Sequence, residues 1–179
     1  YNFGSVGSNF VDKIVSSKVY TDTVIPRIRY IGKSICAAIS DQEIIYYEGA
    51  EIPEEKNTVI LDAEIESVFW GDSRVGIVSL GEDTTAENEE EAGRYRVNLY
   101  DTSGKQILSR KTDLEYSQVK LSGKYLILYN ENECEIYNEK GVLKYKGSFD
   151  SVIADLYKGN GHTKFVLVFS DRTETIRLQ

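Results

Sequence analysis

The chain has 179 residues, 29 acidic against 21 basic side chains and a net charge of −8. That length fits one domain, and that charge excludes the broad cationic surface that nucleic acid or an anionic membrane requires. Hydrophobic residues at 41% and aromatic ones at 11% can fill a core, which excludes wholesale disorder.

There is no methionine, even at position 1, so the chain reads as a piece of something longer. Apolar residues recur with a period near two almost throughout. Tyr, Ile, Val and Phe dominate the runs, and turn-forming residues separate them, as half-buried strands require. Strands are expected at Ile28 to Ile31, Ser34 to Ile39, Glu43 to Tyr47 and Thr58 to Leu61. The next group is Ser67 to Trp70, Arg74 to Ser79, Tyr95 to Tyr100 and Lys105 to Ser109. It is interrupted by the acidic insertion Gly81 to Gly93. A third group runs through Ser117 to Leu121, Lys124 to Tyr129, Glu133 to Tyr137 and Val142 to Lys146. A fourth, Ser151 to Tyr157, Thr163 to Phe169 and Thr173 to Leu178, lacks its last strand. Pro26 and Pro53 fall between runs, where a missing N–H does no harm.

The groups repeat. Tyr100 and Tyr137 close matching strands 37 positions apart, and each is followed four residues later by a glycine, Gly104 or Gly141. A fixed glycine at a β-turn supplies the positive φ that other residues resist. Four-stranded antiparallel units at about 40 residues are the signature of propeller blades. Runs such as Ile35 to Ile39, Val75 to Val78, Leu126 to Leu128 and Phe165 to Phe169 are continuously apolar, as strands covered on both faces would be. The expected fold is all-β: a propeller-like array of about four blades over residues 1–179, with a β-sandwich as the alternative. An unclosed array exposes edges that invite pairing and self-association. The segment Asn9 to Tyr20 is therefore expected to supply the missing outer strand or to pair with another chain.

On these repeats the chain resembles WD40-like and quinoprotein-like β-propeller domains, most closely those of bacterial surface or envelope proteins. Tyr100-Asp101 and Tyr137-Asn138 stand where Trp-Asp marks a WD40 repeat. The resemblance implies an exported or membrane-anchored, extracytoplasmic protein. It implies a module that binds a protein or a surface polymer.

No motif for catalysis, cofactor or metal emerges. The one histidine, His162, sits in a hairpin-like Gly159-Asn160-Gly161 context without an elbow motif or partner base. The acids of the insertion are consecutive, unlike a calcium loop, and Asp62, Asp72, Asp155 and Asp171 fit backbone-bonding roles at turns. Cys36 and Cys134 are too few for a disulfide framework, although a single bridge stays open. No apolar run reaches the ~18 residues of a membrane span. In the adjacent pairs Tyr46-Tyr47 and Phe69-Trp70 one ring must point to each sheet face, which makes Tyr47 and Trp70 the candidate ligand-binding residues. The competing functional class is a carbohydrate- or peptide-processing enzyme with a central carboxylate site.

Overall fold

The computed structural model describes residues 14, 17–81 and 93–178. The body of the acidic insertion and most of the Asn9 to Tyr20 segment lie outside them. The described residues form four antiparallel sheets in chain order. The first holds β1 (Arg27–Tyr30), β2 (Ile35–Ile39), β3 (Glu43–Glu48) and β4 (Glu54–Ile60); the second holds β5 (Ile65–Gly71), β6 (Arg74–Leu80), β7 (Tyr95–Tyr100) and β8 (Gln106–Thr112). The third is built from β9 (Gln118–Ser122), β10 (Tyr125–Tyr129), β11 (Glu133–Tyr137) and β12 (Leu143–Ser148), and the last from β13 (Ile153–Lys158), β14 (Lys164–Phe169) and β15 (Thr173–Arg177). Each strand pairs with the next in sequence, so every sheet is a meander.

First strands lie innermost, where β5 meets β9, and fourth strands are solvent-washed on the outside. The second and third strands are apolar on both faces because both faces are covered. In β2, Ala37 and Ile39 pack toward the second sheet. Cys36 and Ala38, pointing the other way, are also at most 7% exposed. Three cores result, one between each consecutive pair of sheets. Tyr46 and Trp70 join the first, and Phe69, on the opposite face from Trp70, joins the second.

The predicted hairpin geometry is present twice, residue for residue. Asp101 Oδ1 accepts from the Ser103 and Lys105 amides at 2.8 and 3.1 Å, and Asn138 Oδ1 accepts from the Lys140 and Val142 amides, both at 3.0 Å. Gly104 and Gly141 complete these turns at φ +81° and +76°. A bulge precedes the tyrosine in each case, between Leu99 and Tyr100 and between Ile136 and Tyr137. The first sheet has the same bulge between Tyr46 and Tyr47. Tyr47, Tyr100 and Tyr137 are therefore equivalent.

A buried carboxylate locks the second sheet to the third. Thr112 of β8 donates to Glu135 Oε2 at 2.6 Å, Tyr137 donates to the same oxygen at 2.5 Å, and Lys146 Nζ lies 3.0 Å from Oε1. Desolvation works against the Glu135 charge, but these donors outweigh it and hold the carboxyl below its ordinary range. The Arg110 guanidinium of β8 lies over the Tyr137 ring at 5.7 Å.

Two outcomes follow from this packing. At Gly141 an added Cβ meets only Leu108 atoms at 3.7 Å, whereas at Gly104 it meets Asn57 Nδ2 at 2.6 Å and Val59 Cγ2 at 2.9 Å. Gly141→Ala should cost about 1 kcal/mol from the positive φ alone, and Gly104→Ala about 2 kcal/mol or more because overpacking is added; urea denaturation measures both. Glu135→Gln should cost about 2 kcal/mol at neutral pH. A depressed folded pKa gives stability that is present above the unfolded value and lost as pH falls through the folded one. The stability gap between wild type and Glu135→Gln should therefore narrow when denaturation is repeated at acid pH.

Candidate functional site

The meander segregates the turns between two ends of the array. At one end lie the β2–β3, β10–β11 and β14–β15 turns, the connections between sheets and the base of the acidic insertion. Their described residues carry Asp41, Asp62, Glu64, Asp113, Glu115, Glu131, Asp150 and Asp171 against only Arg94 and Arg172. At the other end Glu51, Asp72, Asp101 and Glu139 are matched by Lys33, Lys105, Lys124 and Lys140. Some acids of the first end are bridged: Arg94 pairs with Glu115, Arg96 with Asp62 at 3.6 Å, and Arg172 with Asp171 at 3.2 Å. The remainder leave this end strongly anionic, and adjacent like charges reinforce one another's field.

A cleft of about 710 Å³ opens at this acidic end, where the chain before β1 meets the first two sheets. Its wall is apolar, from Val24, Pro26, Ile39, Ile65 and Val68, and its charged lining is Asp22, Asp41, Glu64 and Glu66 against the single cation Arg27. Ser40 fixes the rim: its Oγ accepts from the Gln42 and Glu43 amides at 3.1 and 3.0 Å, which holds Asp41 at the turn. An apolar wall with four carboxylates against one guanidinium keeps a net negative charge and suits a group that has an aliphatic stem and a cationic head, as Lys and Arg do. Among the described residues no group of His, Cys, Asp and Glu is placed to hold a metal, and no helix is long and apolar enough to cross a membrane.

Neither Tyr47 nor Trp70 lines this cleft, and the structure does not bring them together. Trp70 is half-buried between the first two sheets with the Arg29 guanidinium 5.9 Å from its ring. Tyr47 lies on the far face of the first sheet, its hydroxyl bonded to that of Tyr20. His162 is exposed in the β13–β14 turn at the opposite end, its carbonyl accepting from Tyr125 at 3.2 Å. Asp155 stands in β13 rather than at a turn; its Oδ1 takes the Leu156 amide at 2.8 Å, the Tyr129 hydroxyl at 3.1 Å and the Lys120 ammonium. Sequence reasoning missed the acidic end. Its signal was available as the sign of charge at alternate turns, which becomes one surface only once the strand order is known.

Solved structures of the same architecture place these sheets as blades of a β-propeller. The BBS1N chain solved in complex with ARL6DN and soaked with mercury shares 12% identity and a TM-score of 0.54, over 89% of this chain and 53% of that one. HIRA(644-1017) shares 11% at a TM-score of 0.56, covering 89% and 54%. Kluyveromyces lactis Hsv2p shares 10% at 0.54, covering 90% and 51%. The likeness is one of fold, to WD40-type propellers, and the chain spans about half the length of each. No curated protein matches the sequence. The family model that matches, "Family of unknown function (DUF5711)", aligns with residues 1–178, and the chain belongs to that family.

Cys36 and Cys134 are free thiols buried in separate sheets. Burial pushes both up, Cys134 to about 12 with help from the neighbouring Glu135 charge. Neither should react with a thiol reagent such as DTNB in the native protein, and both should react in guanidinium. Titration of accessible thiols checks this.

Proposed function

We propose that this member of the family is a non-catalytic interaction module that holds a basic segment of a partner protein at its acidic loop end. The observation that carries the reading is the cleft between the first two sheets. Four carboxylates from three separate stretches of chain line it beside an apolar wall, against the single cation Arg27. Charge of one sign on one end raises encounter rates with a partner of opposite sign and repels the wrong partner. The insertion leaves and rejoins the array at this same end, through Gly81 and Arg94. Its sequence adds further acids. An anionic surface polymer is disfavoured by the same charge, so a protein is the better-supported partner. One solved propeller of similar fold, BBS1N, was crystallised in complex with ARL6DN. The proposal keeps the extracytoplasmic setting that the envelope-propeller resemblance implies; recovery of the native protein solely from the cytoplasmic fraction would remove it.

The test is titration of the protein with fluorescent Lys/Arg-rich peptides that carry flanking aliphatic residues, alongside neutral and acidic peptides of equal length. Binding should be selective for the basic peptides and weaken as salt rises. Asp41→Asn combined with Glu64→Gln should weaken it about tenfold, the loss of one charge-assisted contact. Equal binding of neutral peptides, or full affinity in that double variant, would refute the assignment.

A further inference from the structure

The junction between the second and third sheets is closed by the protein's own polar groups, whereas the junction between the first and second is left open. The two match residue for residue. Asn98 and Glu135 each stand two residues before a bulge tyrosine, and they pair across their ladders with Ser109 and Lys146. On the preceding sheets, Val59 pairs with Ile44 and Arg110 with Val97, each three residues before a bulge tyrosine. Val59 therefore holds the place of Arg110, and Leu61, two residues on, that of Thr112. Thr112 and Lys146 close around Glu135; their counterparts are Leu61 and Ser109. Arg110 covers the Tyr137 ring; its counterpart, beside Tyr100, is Val59.

A groove of about 440 Å³ results, opening between β4 of the first sheet and β7 and β8 of the second. It shares no residue with the acidic cleft. Asn98 lines it while only 7% exposed, and its Oδ1 has no protein partner. The Tyr100 hydroxyl lies next to it. A buried acceptor left unmatched costs stability, so Asn98 marks where a donor from outside the chain is received.

We infer that this groove is a second binding site and that it takes a neutral polyhydroxylated ring, one pyranose unit of a saccharide. Charge decides against an ion. Asp62 and Arg96 are the charged groups of the lining, and they stand 3.6 Å apart and offset one another. Asn98 Oδ1 can only accept and Arg96 can only donate, while Tyr100, Gln106 and Ser109 can do both. A hydroxyl answers all of these, and neighbouring hydroxyls on a ring meet the forked amide and guanidinium groups in pairs. Val59 and Ile60 supply the apolar part of the lining, against which the C–H face of such a ring rests. The volume falls within the roughly 300–1,000 Å³ of small-molecule sites. A ligand hydroxyl also reproduces the bonds that water makes to these groups, so it displaces water without losing them.

The test titrates ¹⁵N-labelled protein with glucose, galactose, mannose and N-acetylglucosamine as neutral rings, and with glucuronic acid and glucosamine as charged ones. At least one neutral ring should shift the Asn98 side-chain amide signals saturably, and more tightly than either charged ring. Asn98→Leu removes the receiving atom together with its unmet bond. Ser109→Lys, at an exposed position, sets an ammonium opposite Asn98 as Lys146 stands opposite Glu135. Both variants should keep the far-ultraviolet spectrum of the wild type and lose at least tenfold in affinity, followed at the backbone amides of β7. Should Asn98→Leu fail to fold, Ser109→Lys alone decides. The inference is overturned if no neutral ring shifts Asn98, if a charged ring binds more tightly than every neutral one, or if folded Ser109→Lys keeps full affinity.

Discussion

Each sheet of this protein has apolar side chains on both faces of its middle strands, and that one requirement organises the rest. A sheet such as β5–β8, with Phe69 on one side and Trp70 on the other, has no stable existence in water by itself. It needs a neighbour on each face, and the neighbour has the same need, so the architecture propagates as a stack. Burying a side chain the size of Leu or Ile contributes roughly 1.5–3 kcal/mol. The cores holding Ile39, Ile77, Leu128 and Leu167 therefore dominate stability, while the solvent-facing outer strands contribute comparatively little.

What the stack lacks in directionality the polar contacts supply. A hydrophobic face tolerates sliding, but the bulge before Tyr47, Tyr100 and Tyr137 leaves a single register. In the third sheet that register is fixed further by Glu135, whose oxygens engage Thr112, Tyr137 and Lys146. At the homologous place in the second sheet Asn98 stands two residues before Tyr100, and its Oδ1 is buried without a protein partner. The junctions share geometry and differ in chemistry.

The strands were legible because period-two patterning and turn residues are local signals, and Gly104 and Gly141 reveal their turns since no other residue type takes that φ cheaply. The first half of β4, Glu54 to Asn57, was invisible to the same reasoning. An outer strand needs no apolar residue to pair with β3, so the expected start at Thr58 fell four residues late. The equivalence of Tyr47 was hidden by its neighbour Tyr46, because a bulge leaves no mark in the sequence when two tyrosines adjoin. Tyr47 and Trp70 were singled out as aromatics, a property that says nothing about which loops share an end. The acidic cleft depends on strand order, which sequence gives only after the sheets are known.

The base of the insertion in the second sheet shows how such a scaffold accommodates change. The Gly81 amide donates to Arg94 O at 2.7 Å, and the Arg94 amide donates to Asp113 Oδ1 at 3.0 Å, so the chain is clamped before and after the excursion. Because closure entropy grows only with the logarithm of loop length, that pincer insulates the ladder between β6 and β7 from whatever is spliced between its jaws. A stretch of different length or sequence between those jaws costs the frame little closure entropy, which makes this corner of the molecule the natural place to graft a new segment.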